Sequence, residues 1–418
     1  MTQRLYYIDS FLREFPATVT NIREHSREGA QTLWQISLDR SAFYPTSGGQ
    51  PHDLGILRAT SGKGAILDIP ILAVEEDESG EVWHSVNKPL LADTHVEALI
   101  DWPRRLDHMQ QHSGQHLLSA AFAHRLGAHT LSFHLGPEVS TIDIDSPPLT
   151  SEQIQHIEQT VNDIIAENRP VTVHNVSREH AEALLAAGDL RKLPEREGNI
   201  RIIEIENYDR NACGGTHVHS TAQIGSLLIR STEKVSRGIR VTYVAGLRAV
   251  RAARHDATLL QEAAAIFSTG PSELPEAVQR LHAESKSLAK ENQKLRTELA
   301  HYHATRLAVE VPFRAGIRWV NRAFDDRDPD YLRLLASALT AAAPHTVAFF
   351  SCQDQQSEGT RIVFARSRDL DFHCGNALRE ALAPHNIRAG GSPDMAQSLI
   401  PSNLLEDLQT TLTTKHHP

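Results

Sequence analysis

The sequence predicts an α+β protein in four parts. These are a small β-barrel over residues 1–100, an α+β domain carrying a metal-ligand pattern over 101–246, a long helical hairpin over 247–310 and a small α/β domain over 311–418. Three observations predict it. Short apolar or alternating runs fill the first hundred residues, a well-punctuated helix begins at Asp101, and beyond residue 247 leucines recur every seven positions.

The runs at 32–38, 65–74, 81–86 and 95–100 are separated by Gly- and Asp-containing turns, and short strands at this spacing suit a small barrel. For the helix, Asp101 supplies an N-cap oxygen, Pro103 fits the first turn and Gly127 fits the stop. Mixed helices and strands continue to Gly246. From Leu247 the pattern is long-helical, and Pro271 and Pro275 divide it into two helices joined by a turn. In the second, Leu274, Leu281, Leu288, Leu295 and Tyr302 stand seven apart. The row four later reads Val278, Ser285, Asn292, Leu299 and Arg306, three of the five polar, so the seam is weak. An intramolecular hairpin and an intermolecular coiled coil both remain open, with a weak homodimer at most. After Val311, strand-like 346–351 and 361–365 alternate with helix-like 331–342 and 375–383, the pattern of a small α/β domain.

With 40% hydrophobic and 22% charged residues in 418, the chain can bury a core and is not a disordered polymer. Its three cysteines are too few for a disulfide framework and fit a reducing compartment. Met1 to Phe15 lacks the apolar segment of a signal peptide, and no apolar run approaches the roughly 20 residues that cross a bilayer. A cytoplasmic protein with no membrane partner is expected. A net charge of −10 argues against a general nucleic-acid coat protein. The charge is uneven, however: from Arg230 to Arg254 seven Lys/Arg face one acid, Glu233. Such a stripe is either a solvated helix face or a set of phosphate contacts.

Two pairs carry chemistry. His112 and His116 stand at i and i+4 on the Asp101 helix, roughly 5–6 Å apart at Cβ, where two imidazoles can share an ion. Cys213 and His217 bracket Gly214 and Gly215, which break a helix and let a tight loop fold both side chains inward. Three imidazoles and a thiolate suit tetrahedral Zn²⁺. A chain with 24 histidines produces roughly one or two HxxxH pairs by composition alone, and His108 makes a second overlapping pair. The Cys-Gly-Gly-Thr-His arrangement is sharper, since core packing does not ask for it. Cys352 and Cys374 read as ordinary buried thiols.

Gln111-His112-Ser113-Gly114-Gln115-His116-Leu117-Leu118 and Cys213-Gly214-Gly215-Thr216-His217-Val218 resemble the two zinc motifs of alanyl-tRNA editing proteins, the free-standing relatives of the editing domain of alanyl-tRNA synthetase. Phe43-Tyr44-Pro45-Thr46-Ser47-Gly48-Gly49-Gln50, with Asp53 and Gly55, resembles their glycine-rich motif, and Leu5-Tyr6-Tyr7-Ile8-Asp9-Ser10 their opening. Gly390-Gly391-Ser392-Pro393-Asp394-Met395-Ala396-Gln397 is similar to the synthetase's C-terminal domain, but Ser398-Leu399-Ile400 follows where further glycines are usual. The likeness is strong over 1–246 and looser over 247–418. The chain opens at the barrel, so it resembles the long free-standing editing type and not a synthetase.

The resemblance implies a zinc-dependent hydrolase of the ester joining a wrong amino acid to tRNA. The expected substrate is tRNA(Ala) charged with serine or glycine. It implies His112, His116, Cys213 and His217 as Zn²⁺ ligands, the 101–246 stretch as a zinc-binding editing domain, and Thr46, Ser47, Gly48, Gly49, Gln50 and Thr216 beside the substrate. Four protein ligands close the shell unless it expands, which favours substrate positioning over a zinc hydroxide. His219 and Asp209 flank the second motif and are equal candidates for proton transfer or support of the ligands. Arg248, Arg251 and Arg254 are the candidate tRNA contacts. An alanine-sized pocket cannot strongly reject serine or glycine, whereas a second site that hydrogen-bonds a hydroxyl can. Two other readings stay open: a deacylase for another mischarged tRNA, and a non-catalytic tRNA-binding protein with structural zinc.

Overall fold

The computed structural model describes residues 1–28, 31–191, 193–194, 198–354 and 359–416. It is a mixed α+β structure in two compact units, Met1–Glu262 and Ala263–Pro418.

The first unit opens with β1 (Gln3–Arg4), β2 (Glu14–Glu28), β3 (Gln31–Leu38), β4 (Arg40–Ser41), β5 (Gly55–Thr60), β6 (Ile66–Glu76), β7 (Val82–Val86) and β8 (His95–Ile100). Six of these close an antiparallel barrel in the order β2-β3-β7-β6-β5-β8, while β1 and β4 pair in parallel beside it. The barrel is the one expected, with two strands the sequence reading did not mark. In β2, Phe15, Ala17 and Val19 alternate inward, but Pro16 and the polar stretch after Ile22 hide that period. In β5 only Leu57 is fully buried, too thin a signal in six residues. The barrel's core also encloses His84. Its Nδ1 lies 3.0 Å from the Ile36 carbonyl, which can only accept, so the proton sits there. Nε2 then accepts from Ser41 Oγ at 2.8 Å.

Next come α1 (Trp102–Leu126), β9 (Thr130–Leu135), β10 (Ser140–Ile144), α2 (Ser151–Ala166), β11 (Val171–Val176), α3 (Arg178–Ala187), β12 (Ile200–Ile205), β13 (Asp209–Ala212), β14 (Leu227–Val235), β15 (Gly238–Ala245) and α4 (Leu247–Ile266). Helix α1 is capped as its sequence requires. The Asp101 side chain accepts from Arg104 N–H, a proline lies in the first turn, and Gly127 stops the helix at φ 64°. From His108 to Phe122 every residue is buried, because α1 is packed on all sides. It shares a core with α2, the sheet β14-β15-β10-β9 and part of β11-β12-β13, including Leu117, Phe122, Ile142, Val161, Ile203 and Tyr243. A buried pair joins α1 to the barrel loop: Arg105 binds Asp53 and also donates to the carbonyls of Ser10 and Ala42.

The second unit contains α5 (Leu274–Glu310), β16 (Arg318–Phe324), α6 (Pro329–Ala342), β17 (Thr346–Gln353), β18 (Gly359–Arg366), α7 (Cys374–Leu382), β19 (Ala389–Gly391), β20 (Met395–Pro401) and α8 (Leu405–His416). Its sheet runs β16-β17-β18-β20-β19. Alternate residues of β17 enter two cores: Ala348, Phe350 and Cys352 meet α6 and the end of α5, whereas Val347 and Phe349 meet α7 and α8. Both helices expected beyond Leu247 are present, but Pro275 lies in the first turn of α5 and interrupts nothing. The boundary between units falls inside α4, so the two helices are described with separate units. The heptad leucines Leu281, Leu288 and Leu295 are exposed.

Candidate metal centre

His112 and His116 project from one face of α1, and Cys213 and His217 come from the loop after β13. Their four donor atoms all lie within 4.8 Å of one another, and the three imidazoles are buried. Cys213 Sγ stands 3.4 Å from Nε2 of His112 and 3.4 Å from Nε2 of His217. Tetrahedral ligands of Zn²⁺ at their usual bond lengths stand roughly 3.5 Å apart.

The hydrogen bonds orient the lone pairs. Thr216 N–H donates to Gln50 Oε1 at 3.1 Å, and Gln50 Nε2 donates to Thr216 Oγ1 at 2.8 Å, which fixes the amide's sense. His112 Nδ1 is 2.9 Å from the same Oε1, which can only accept, so Nδ1 carries the proton. The unprotonated Nε2 therefore faces the cluster. His217 is held similarly through Nδ1, 3.0 Å from Ser113 Oγ. Burial pushes His112 down to about 3 and takes His116 and His217 well below the ordinary range, so all three imidazoles are neutral, as metal ligation requires. Burial raises the Cys213 thiol, and a bound cation reverses that by taking the thiolate. His116 Nδ1 is buried with no partner among the described residues. A cation fits this donor set.

Glycine makes the cluster possible. A Cβ on Gly215 would stand 2.2 Å from His112 Cε1, so only glycine lets the loop approach this closely. Gly49, at φ +82°, would likewise drive a Cβ to 2.7 Å from Phe133 Cε2, and Phe133 packs 5.7 Å from the His112 ring.

Residues 200–240 match the family model described as threonyl and alanyl tRNA synthetase second additional domain. Over 361 residues the chain is 30% identical to the alanyl-tRNA editing protein Aarsd1 of Rattus norvegicus, covering 84% of this chain and 84% of that protein. This chain belongs to the alanyl-tRNA editing protein family. It is 35% identical over 302 residues to Aarsd1 of Bos taurus, covering 70% of this chain and 65% of that protein. It is 31% identical over 415 residues to the alanine–tRNA ligase of Thermococcus kodakarensis, covering 96% of this chain but 42% of the ligase. The chain thus spans just under two thirds of the bovine editing protein and less than half of the ligase.

In this member of the editing family, the other expected site residues divide. Gln50 and Thr216 are fully buried and bonded to each other, with Gln50 also on His112, so both support the cluster from behind. Thr46, Ser47, Gly48 and Gly49 form an exposed loop beside them, in which Thr46 Oγ1 meets His52 Nδ1 at 2.9 Å. Asp209 is bound by Arg191 at 2.8 Å and lines a separate polar cavity of about 530 Å³ with His124, His129 and Tyr208. Burial raises its carboxyl while Arg191 opposes that. His219 is exposed and stacks on Phe11 at 4.1 Å. Neither Asp209 nor His219 is among the four clustered donors.

Arg248 requires a correction as a nucleic-acid contact. Its side chain is 5% exposed, paired with Asp107, and donates to the Gly136 carbonyl at 2.7 Å, so it is buried as an internal brace and not presented to a phosphate at the surface. Arg251 and Arg254 are exposed. The basic stripe is also partly neutralised, since Arg230 pairs with Asp256 and Arg240 with Asp143. Sequence reasoning assigned no role to Ser113 or to Arg201, whose Nη1 donates at 2.8 Å to both the Cys213 and Gly215 carbonyls. Ser113 was legible as the neighbour of a ligand. Arg201, twelve residues before Cys213, left no local signal. No helix among the described residues is long and apolar enough to cross a membrane.

Proposed function

We propose that this chain is a zinc-dependent trans-editing hydrolase that deacylates tRNA(Ala) mischarged with serine, and with glycine. The carrying observation is the convergence of three neutral imidazoles and a thiol, in a chain of the alanyl-tRNA editing family. His112, His116, Cys213 and His217 hold the zinc. When bound, the ion supplies a Lewis acid that positions the substrate's amino or hydroxyl group and polarises water.

The protein's own residues do the rest. Gln50 and Ser113 orient His112 and His217 through their outer nitrogens. The exposed Thr46 and Ser47 hydroxyls offer hydrogen bonds that a serine side chain can use and an alanine methyl cannot. Arg251 and Arg254 offer charge to tRNA phosphates. Asp209 and His219 are proposed for indirect support only, because neither joins the donor cluster. A purely structural zinc is the second reading, favoured by four protein ligands in a buried shell.

The test is hydrolysis of seryl-, glycyl- and alanyl-tRNA(Ala) by purified protein. Serine, and glycine, should be released while alanine is spared. Equal hydrolysis of all three, or of none, would sink the proposal.

A further inference from the structure

Two buried arginines of the first unit face carboxylates: Arg105 meets Asp53 and Arg248 meets Asp107. Arg201, on β12, has no carboxylate partner among the described residues. Its Nη1 is committed to the Cys213 and Gly215 carbonyls. Its Nε and Nη2 are buried with no hydrogen-bond partner among the described residues. These two parallel N–H groups form the guanidinium edge that matches a pair of anionic oxygens. A buried charged edge with nothing to bond is rare and costly in a native protein, which points to a ligand.

The surroundings narrow the ligand. The Tyr7 ring stands 5.5 Å from the guanidinium carbon, and Tyr6 packs edge-on against Tyr7 with its own buried hydroxyl unpartnered. This is an aromatic, cationic corner, the chemistry that receives the end of a nucleic-acid strand. The loop that Arg201 grips carries two of the four clustered donors. In an aminoacyl-tRNA the amino acid's carboxyl is esterified, so the formal oxyanions of the substrate are its phosphates.

Resting on the deacylase reading, we propose that the Nε/Nη2 edge of Arg201 receives the phosphodiester of the terminal nucleotide, whose ribose ester reaches the metal ligands. The bonds from Nη1 to Cys213 and Gly215 hold that phosphate contact at a fixed place relative to the cluster. Entry of the phosphate requires the half-buried Tyr7 ring to swing outward from the short turn Leu5–Tyr7.

The experiment uses the full, zinc-loaded chain and two small substrates, the 3′-seryl esters of adenosine and of adenosine 5′-monophosphate. The wild type should favour the phosphorylated ester about tenfold or more in kcat/KM, mainly through KM. Arg201→Gln should abolish the preference, lowering kcat/KM on the phosphorylated ester about tenfold more than on the adenosine ester, with Arg201→Lys intermediate. No preference in the wild type would overturn the proposal. So would an equal fall on both esters in Arg201→Gln, or loss of zinc, either of which makes Arg201 a loop brace only. If the wild type cleaves neither ester, the deacylase reading fails separately. Calorimetric binding of adenosine 5′-monophosphate against adenosine then decides the phosphate site, and equal or absent binding overturns it.

Discussion

The four clustered side chains are not interchangeable with their neighbours. Cys213→Ala or His116→Ala should lose metal and activity together. His108→Ala should keep the metal although His108 stands one turn before His112, because it is not among the converging donors. Elemental analysis and a rate measurement on the three variants check this, and full zinc in Cys213→Ala would remove that ligand from the set. Gln50→Ala should weaken metal affinity about 10–100-fold without unfolding the chain, since it removes the acceptor that orients His112; a chelator competition reads it. The ligand pairs were legible because each lies within five consecutive residues. The Gln50–His112 contact, 62 residues apart, and the Arg248–Asp107 pair, 141 apart, exist only in the fold. The resemblance placed Gln50 beside substrate and the local charge placed Arg248 on tRNA, and neither signal carries these long-range contacts. His84 supplies a pH signature. Burial pushes it from 6.5 down to about 4. Above pH 6.5 neither the folded nor the unfolded state is protonated there. Below it the unfolded chain takes up a proton that the folded one refuses, so stability falls by on the order of 3 kcal/mol by pH 4. Denaturation midpoints of wild type and His84→Gln at pH 7 and 4.5 should show the smaller drop in the variant.

At the scale of elements, the centre depends on how α1 meets the barrel loop and the Cys213–His217 loop. Gly215→Ala should lose metal almost entirely, because its Cβ would overlap the His112 ring. An ultraviolet-visible spectrum of the cobalt-substituted protein would reveal an intact tetrahedral site instead. Helix α1 was readable end to end because its caps are local. Strand β2 was missed because its inward residues are separated by Pro16 and its outer half is polar. In α5 the seven-residue leucine row is real, but Leu281, Leu288 and Leu295 are exposed and the partner row carries Ser285, Asn292 and Arg306. Any self-association through it should be weak, and sedimentation of wild type and Leu288→Glu should differ only at high concentration.

For the whole molecule, every clustered ligand lies in Met1–Glu262, and the described residues of the α/β unit beyond it supply none. Chemistry and tRNA holding should separate within the first unit too, since Arg251 and Arg254 on α4 are not among the clustered donors. Neutralising Arg251 and Arg254 should flatten the salt dependence of tRNA binding by up to about 0.9 log units per lost phosphate contact, with little change in single-turnover cleavage at saturating protein. The α+β class and the barrel were legible from periodicity, whereas the placement of the unit boundary inside α4 was not, since a continuous helix gives no local break. The most direct test of the account is a zinc titration into metal-stripped full-length protein, following single-turnover hydrolysis of seryl-tRNA(Ala). The account predicts no hydrolysis without metal and a rate that rises to a plateau at one zinc per chain. Hydrolysis at full rate by the stripped protein, or none at full occupancy, would contradict it.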